Sequence, residues 1–192
     1  MINLRYVEPE DSEILRDIYS YYVENTCITT ECTLPDEYAF QKRVEKISSK
    51  YPYIVAERDG HIVGYIYASP LVEREAINHC VQISIYVRHG LGRSGVGKRM
   101  YRAIESVLSR MGITNMYARV AVPKIENEHL TRNSLQFHEY MGFTKVGFLE
   151  KSGYKFNQWF DLAIMEKFIA HHRDRAEEVR FFDKYPKPSI EE

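Results

Sequence analysis

The strongest local constraint in the chain is a glycine-rich turn between an apolar strand and an amphipathic helix, Ile85 to Tyr101, IYVRHGLGRSGVGKRMY. Glycines let the backbone turn sharply and expose its N–H groups, and the following helix adds its positive end, so the segment suits an anion. Three phosphate-binding patterns overlap here. Gly90, Gly92 and Gly95 spell the dinucleotide fingerprint G-x-G-x-x-G, and Gly92 through Lys98 spell most of a Walker A loop. The Walker pattern needs Ser or Thr after its Lys to ligate magnesium, and Arg99 stands there. The dinucleotide pattern needs an acidic residue about 20 positions on, at the end of the next strand. That strand, MYARVAV from Met116 to Val122, ends without one. What remains is G-x-x-G-x-G, with Gly92, Gly95 and Gly97, whose main chain from Arg93 through Ser94, Gly95, Val96 and Gly97 to Lys98 can hold a pyrophosphate without metal.

The rest of the chain places this turn in a mixed α/β order. INLRYVE alternates as a strand, and Asp11 or Ser12 is the expected N-cap of a helix carrying Ile14, Leu15, Ile18, Tyr21 and Tyr22. A loop from Asn25 to Thr33 leads past Pro35 into a helix through Phe40, Val44 and Ile47. YPYIVAE and HIVGYIYAS flank Asp59-Gly60, a hairpin signal, and CVQISIYV is the next strand. The helix after the glycine turn sets Val96, Met100, Ile104, Val107, Leu108 and Met111 at intervals of three and four, with Gly112 as its stop. A helix from Asn133 to Met141 and the strands TKVGFLE and QWFDLAIME close the sheet. Beyond them, FIAHHRDRAEEVRFFDKYPKPSIEE reads as a surface appendage, helix-compatible until Pro186 and Pro188.

Composition limits what the turn can serve. A chain of 192 residues fits one domain, and a net charge of -1 gives no global attraction to nucleic acid or an anionic membrane. A local basic patch of Arg88, Arg93, Lys98, Arg99 and Arg102 survives at the turn. No apolar run approaches the roughly 18 residues that span a bilayer, and MINLRYVEPEDSE lacks a signal-peptide core, so a cytoplasmic protein without membrane partners is expected. Cys27, Cys32 and Cys80 have no metal-site spacing, which points to reduced thiols and no metal.

The order of strand, RSGVGK turn, helix and NSLQFHEYMGF resembles the acetyl-CoA site of the GCN5-related N-acetyltransferases. YPYIVAERDGHIVGYIYAS, SIYV, FHEYMGF and GYKFNQWFDL are similar to the phosphinothricin and methionine sulfoximine acetyltransferase branch, over residues 2 to 167. The resemblance implies a GNAT-like mixed central sheet of about seven strands flanked by about four helices. It implies a domain over residues 1–167 with an extension over 168–192, and a possible homodimer supported by Phe181 and Phe182. It also implies acetyl-CoA as co-substrate and a small-molecule amine as acceptor. The main chain of Ile85, Tyr86 and Val87 would pair with the pantetheine arm, and Ser134 would contact the coenzyme.

Acetyl transfer to an amine needs a base, because an alkylammonium is mostly protonated at neutral pH. The resembled branch carries a glutamate five residues before the last Val of its YV motif, and Gln82 stands there. An amide cannot take that proton, so Gln82 is expected to orient the acceptor or a water, with Glu31, Glu73, Glu75 and His79 as replacement bases. His138 occupies the position from which the leaving thiolate would be protonated. Thr29 and Thr30 replace an acceptor-loop aromatic, and Tyr154 and Trp159 suit an acceptor wall or a subunit interface. A binding-only acyl-CoA protein and a peptide acetyltransferase with an open groove remain as alternatives.

Overall fold

The computed structural model describes residues 1–91 and 94–191. Its elements are β1 (Ile2–Tyr6), a 3-10 turn (Pro9–Asp11), α1 (Ser12–Asn25), α2 (Glu37–Ser48), β2 (Tyr53–Arg58), β3 (His61–Pro70) and β4 (Cys80–Val87). Then come α3 (Val96–Arg110), β5 (Asn115–Val122), α4 (Asn133–Tyr140), β6 (Thr144–Lys155) and β7 (Gln158–Phe168). The strands form one seven-stranded sheet in the order β1-β2-β3-β4-β5-β7-β6. Neighbours are antiparallel except β4 and β5, which run parallel. Among the described residues no helix is long and apolar enough to cross a membrane.

Local chemistry explains most of the elements. Asp59 and Gly60 both take positive φ, 52° and 79°, and join β2 to β3 in a tight hairpin. The Asp36 side chain accepts from the Ala39 amide at 2.8 Å and so caps α2. Asp11 does not cap α1 as the sequence suggests. Its carboxylate accepts from the Glu8 amide at 2.7 Å and from both terminal nitrogens of Arg5 at 2.7 and 2.8 Å, which ties β1 to the 3-10 turn instead. The α3 stripe of Met100, Ile104, Val107 and Leu108 is fully buried against Ile66, Val81 and Met116. On the other face α1 and α2 bury Leu15, Ile18, Phe40 and Val44 against Tyr53, Val55 and Tyr65.

The C-terminal segment departs from the sequence reading. Residues 169–191 contain no regular helix, and they strap across the core rather than stand off it. The Arg180 amide donates to the Met111 carbonyl at 2.8 Å, the Phe182 amide to the Lys50 carbonyl at 3.2 Å, and the Tyr6 hydroxyl to the Pro188 carbonyl at 2.7 Å. Main-chain groups spent on these partners are not free for helical bonds. Val179 and Phe181 are each 7% exposed, Phe181 meets Tyr51 edge-on at 5.3 Å, and Phe182 meets Tyr6 at 5.6 Å. The two phenylalanines are therefore used within the chain and give no argument for pairing. Gly112 makes room for the strap: its φ is +85°, and a β-carbon there would stand 3.1 Å from the Glu178 carbonyl oxygen.

Candidate active site

The sheet opens where β4 and β5 part. Their parallel pairing covers Cys80 to Gln82 against Asn115 to Tyr117 and stops there, while β4 stays paired with β3 up to Val87. The Arg88 amide bonds the Val63 carbonyl, and the His79 carbonyl accepts from the amides of Thr114 and Asn115, so odd-numbered main-chain groups of β4 face β5. Past Gln82 those groups face a gap. Ile85 therefore presents its amide and carbonyl to the opening, whereas those of Tyr86 belong to the β3 side. Val87 faces the gap as well, but the Tyr22 hydroxyl donates to its carbonyl and accepts from its amide at 3.2 Å. Tyr22 was legible in the sequence as one more aromatic on an amphipathic helix, so this role carried no signal.

The N-terminus of α3 lies at one end of that gap. Gly95 is its N-cap with φ 82°, a left-handed conformation that glycine adopts without strain, and no side chain caps the helix. The first intrahelical bond joins the Arg99 amide to the Gly95 carbonyl, which leaves the amides of Val96, Gly97 and Lys98 without helical partners. The turn is anchored from beneath: Ser94 donates through Oγ to the Leu91 carbonyl at 2.6 Å, and Arg58 donates to the Ser94 carbonyl at 3.4 Å. Gly92 and Arg93 lie outside the described residues. A β-carbon on Gly97 would stand 3.1 Å from Phe137 Cζ and 3.7 Å from Ile85 Cδ1, so α3, α4 and β4 converge on that backbone. Lys98 reaches away from the turn to the Tyr140 hydroxyl at 2.6 Å.

The gap is lined by Ile28, Gln82, Ser84, Arg119, Ser134 and His138 among others, and encloses about 70 Å³. His138 is 5% exposed and both its ring nitrogens are engaged. Nδ1 lies 2.7 Å from the Ser134 carbonyl, which can only accept, so Nδ1 carries the proton and Nε2 accepts from the Tyr101 hydroxyl at 2.7 Å. Tyr101 is itself fully buried. The ring therefore has no free proton for a leaving thiolate, and its geometry is that of a polar strut between α4 and α3. Burial holds the imidazole below its ordinary value, opposed by the Ser134 hydrogen bond. A depressed basic group favours the fold while neutral, so its contribution is complete above about pH 6.5 and is lost as pH falls through the lowered value. Denaturant unfolding across this range should accordingly show a steeper acid-side loss of stability in the wild type than in His138→Asn.

On the α1 and α2 face the gap borders a tyrosine-rich wall. Tyr19, Tyr65 and Tyr22 pack around Tyr86 with ring centroids 4.9 to 5.3 Å apart, and Tyr67 is the register partner of Ser84. The Tyr19 hydroxyl bonds Thr29 Oγ1 at 2.6 Å, and burial pushes that phenol up to about 12. Glu31 pairs with Arg43 at 2.7 Å, and its other carboxylate oxygen is buried without a hydrogen bond. The remaining replacement bases stand apart from the gap. Glu73 and Glu75 are exposed on the β3–β4 connection, and His79 bonds the Glu177 carbonyl at 2.8 Å on the C-terminal segment. Gln82 has no side-chain hydrogen bond among the described residues and faces the opening. Tyr154 and Trp159 are both more than half exposed on β6 and β7, 5.0 Å apart. Among the described residues no cluster of His, Cys, Asp and Glu could hold a metal ion.

The chain is similar to known proteins. The model of a family described as an acetyltransferase (GNAT) domain matches residues 4–164. A phosphinothricin N-acetyltransferase of Streptomyces coelicolor is 31% identical over 82% of this chain and 91% of its own length. An L-methionine sulfoximine/L-methionine sulfone acetyltransferase of Salmonella typhimurium is 23% identical over 89% of this chain and 96% of its own. The crystal structure of a phosphinothricin acetyltransferase from Sinorhizobium meliloti in complex with acetyl-CoA superposes with a TM-score of 0.79 at 28% identity, covering 87% of this chain and 88% of that one.

Proposed function

The chain belongs to the GNAT acetyltransferases and is an acetyl-CoA-dependent N-acetyltransferase, and from that premise we propose that it acetylates the primary amine of a small amino-acid analogue by direct attack within a ternary complex. The observation that carries this reading is the parting of β4 and β5 after Gln82, with free main-chain groups on one edge, free helix amides at one end and a polar aromatic wall on the acceptor side.

The residues fit the coenzyme in chemistry. The amides of Val96, Gly97 and Lys98, which have no partner among the described residues, with the Ser94 and Gly95 backbone and Arg93 outside the described residues, would hold a pyrophosphate. Ile85 offers an amide and a carbonyl to an amide-bearing arm laid along β4, and Ser134 borders the same gap. Bound acetyl-CoA supplies an acetyl thioester, an activated acyl group with a stable thiolate as leaving group. An amide at Ile85 directed at the acyl oxygen stabilises the charge that develops there. Arg119 lines the gap, is exposed and has no ion pair among the described residues, which suits the carboxylate of an amino-acid analogue. Gln82 orients the amine or a water through its free amide.

Residues 1–167 form the catalytic domain on this reading and 168–192 its extension, of which residues 169–191 brace the domain from outside the gap. Pairing into a homodimer is supported by the exposed apolar side chains Val146, Phe148, Leu149, Tyr154 and Trp159 of β6 and β7 rather than by the C-terminal aromatics. Light scattering at micromolar concentration should report a dimer, and Trp159→Glu should shift it towards monomer. Free-thiol release from acetyl-CoA across a panel of amino-acid analogues tests the acceptor class. Release with small zwitterionic amines and none with peptides is expected, and the reverse preference would refute it.

A further inference from the structure

Gln82, Tyr117 and Glu166 stand in one row across three neighbouring strands. Gln82 on β4 is the register partner of Tyr117 on β5, and Tyr117 is the partner of Glu166 on β7. Directly opposed residues share a face of the sheet, and strands lie about 4.8 Å apart, so the row runs roughly 10 Å along one face, beginning at Gln82 in the lining of the gap. All three residues are partly exposed. The Tyr117 hydroxyl bonds Glu166 Oε1, and Asn115 Nδ2 donates to both at 3.3 Å. Glu166 has no ion pair among the described residues, so no cation competes with the phenol for it.

Resting on the acetyltransferase reading, we propose that the acceptor's proton leaves through the Tyr117 hydroxyl to Glu166, the carboxylate that stands in for the base missing at Gln82. A phenol whose proton is given to a carboxylate can still accept, and with Asn115 Nδ2 on one lone pair the Tyr117 oxygen keeps the other for an incoming donor. Tyr117 is the catalytic residue, receiving the proton from the ammonium directly or through a water held by Gln82, and Glu166 acts through it. The N–H proton passes to the Tyr117 oxygen as the Tyr117 proton passes to Glu166. The freed nitrogen lone pair forms the N–C bond, the C–S bond breaks with its electron pair on sulfur, and the second proton on the acylated nitrogen goes to that thiolate, which leaves as the CoA thiol. The phenol ends neutral and Glu166 holds the proton until solvent takes it.

The surroundings fit such a relay. Burial and then the Glu166 hydrogen bond raise the Tyr117 phenol, so it stays protonated near neutral pH. The titratable groups around the pair are Cys80 from β4 and, through Asn115 Oδ1 at 2.7 Å, His172 from the C-terminal segment, and Arg119 lies two positions further along β5, opposite Ile164. Asn115, Cys80, His79 and His172 line a second opening on the side of the row away from the gap, which gives the proton a way to solvent.

The test is a pH-rate profile of wild type, Glu166→Gln, Tyr117→Phe and the double variant Glu166→Gln/Gln82→Glu, with CoA affinity measured by calorimetry. Glu166→Gln and Tyr117→Phe should each lower kcat by about 10²-fold near neutral pH and remove the acid-side ionisation, with CoA affinity within about twofold of wild type. Returning a carboxylate to β4 in the double variant should recover at least about tenfold of kcat. Tyrosine absorbance titration should show one phenol ionising at lower pH in Glu166→Gln. If Glu166→Gln keeps its rate and its acid-side ionisation, the relay is wrong and the acetyltransferase reading stands. If Glu166→Gln fails to fold, Tyr117→Phe, which keeps the ring, decides by the same criteria. A wild type that transfers acetyl to no amine in the panel overturns both.

Discussion

Gly97→Val binds CoA at least about 10²-fold more weakly than wild type in a chain that still folds. The estimate follows from two lost hydrogen bonds to a charged group, each worth about 1.5–3 kcal/mol. The β-carbon would meet Phe137 Cζ at 3.1 Å and Ile85 Cδ1 at 3.7 Å, so a branched side chain has no room there and displaces the first turn of α3 together with its free amides. Gly95→Ala separates the two demands made on this turn. A β-carbon there meets no atom within 4 Å, but the residue holds φ +82°, which costs an L residue about 1–2 kcal/mol of stability. Calorimetric titration with CoA, paired with denaturant unfolding, checks both: the first variant should lose affinity and the second stability. Unchanged affinity in folded Gly97→Val would remove the pyrophosphate from this helix end.

Phe181→Ala should destabilise the protein by about 3–5 kcal/mol, a loss typical of deleting a buried aromatic side chain. The ring is 7% exposed, sits edge-on against Tyr51 and lies 4.3 Å beneath the Lys50 ammonium. Urea unfolding monitored by circular dichroism measures it. A change below about 1 kcal/mol would mean that the C-terminal strap is not part of the folded core. Chains truncated before Val179 should unfold at correspondingly lower temperature, since Val179 and both phenylalanines leave together.

Periodicity made most of the fold legible. The α3 stripe and the Asp59-Gly60 hairpin follow from residue spacing and positive φ alone, and both stand where the sequence places them. The glycine turn also disclosed the α3 helix end, because orphan amides are a local property. The C-terminal strap was not legible: its hydrogen bonds run to Lys50, Met111 and Tyr6, and no local pattern distinguishes such a strap from a helix-compatible polar run. His138 was recognisable as a site residue by position, but its role depends on Tyr101, 37 residues away. The Gln82, Tyr117 and Glu166 row was hidden for the same reason, since strand register across β4, β5 and β7 cannot be read from any one of them. Tyr117 alone reads as a strand aromatic and Glu166 as a solvated edge.

The central claim is that the opening between β4 and β5 brings an acetyl thioester to a small amine. Its most direct measurement is amine-dependent release of free CoA thiol from acetyl-CoA by wild type and by Gly97→Val, with the acetylated amine identified by mass. The account predicts stoichiometric thiol and N-acetyl product from wild type with at least one amino-acid analogue, and a rate lower by about 10²-fold in the variant at subsaturating acetyl-CoA. Tight binding of acetyl-CoA by wild type with no amine-dependent thiol release across the panel would contradict it.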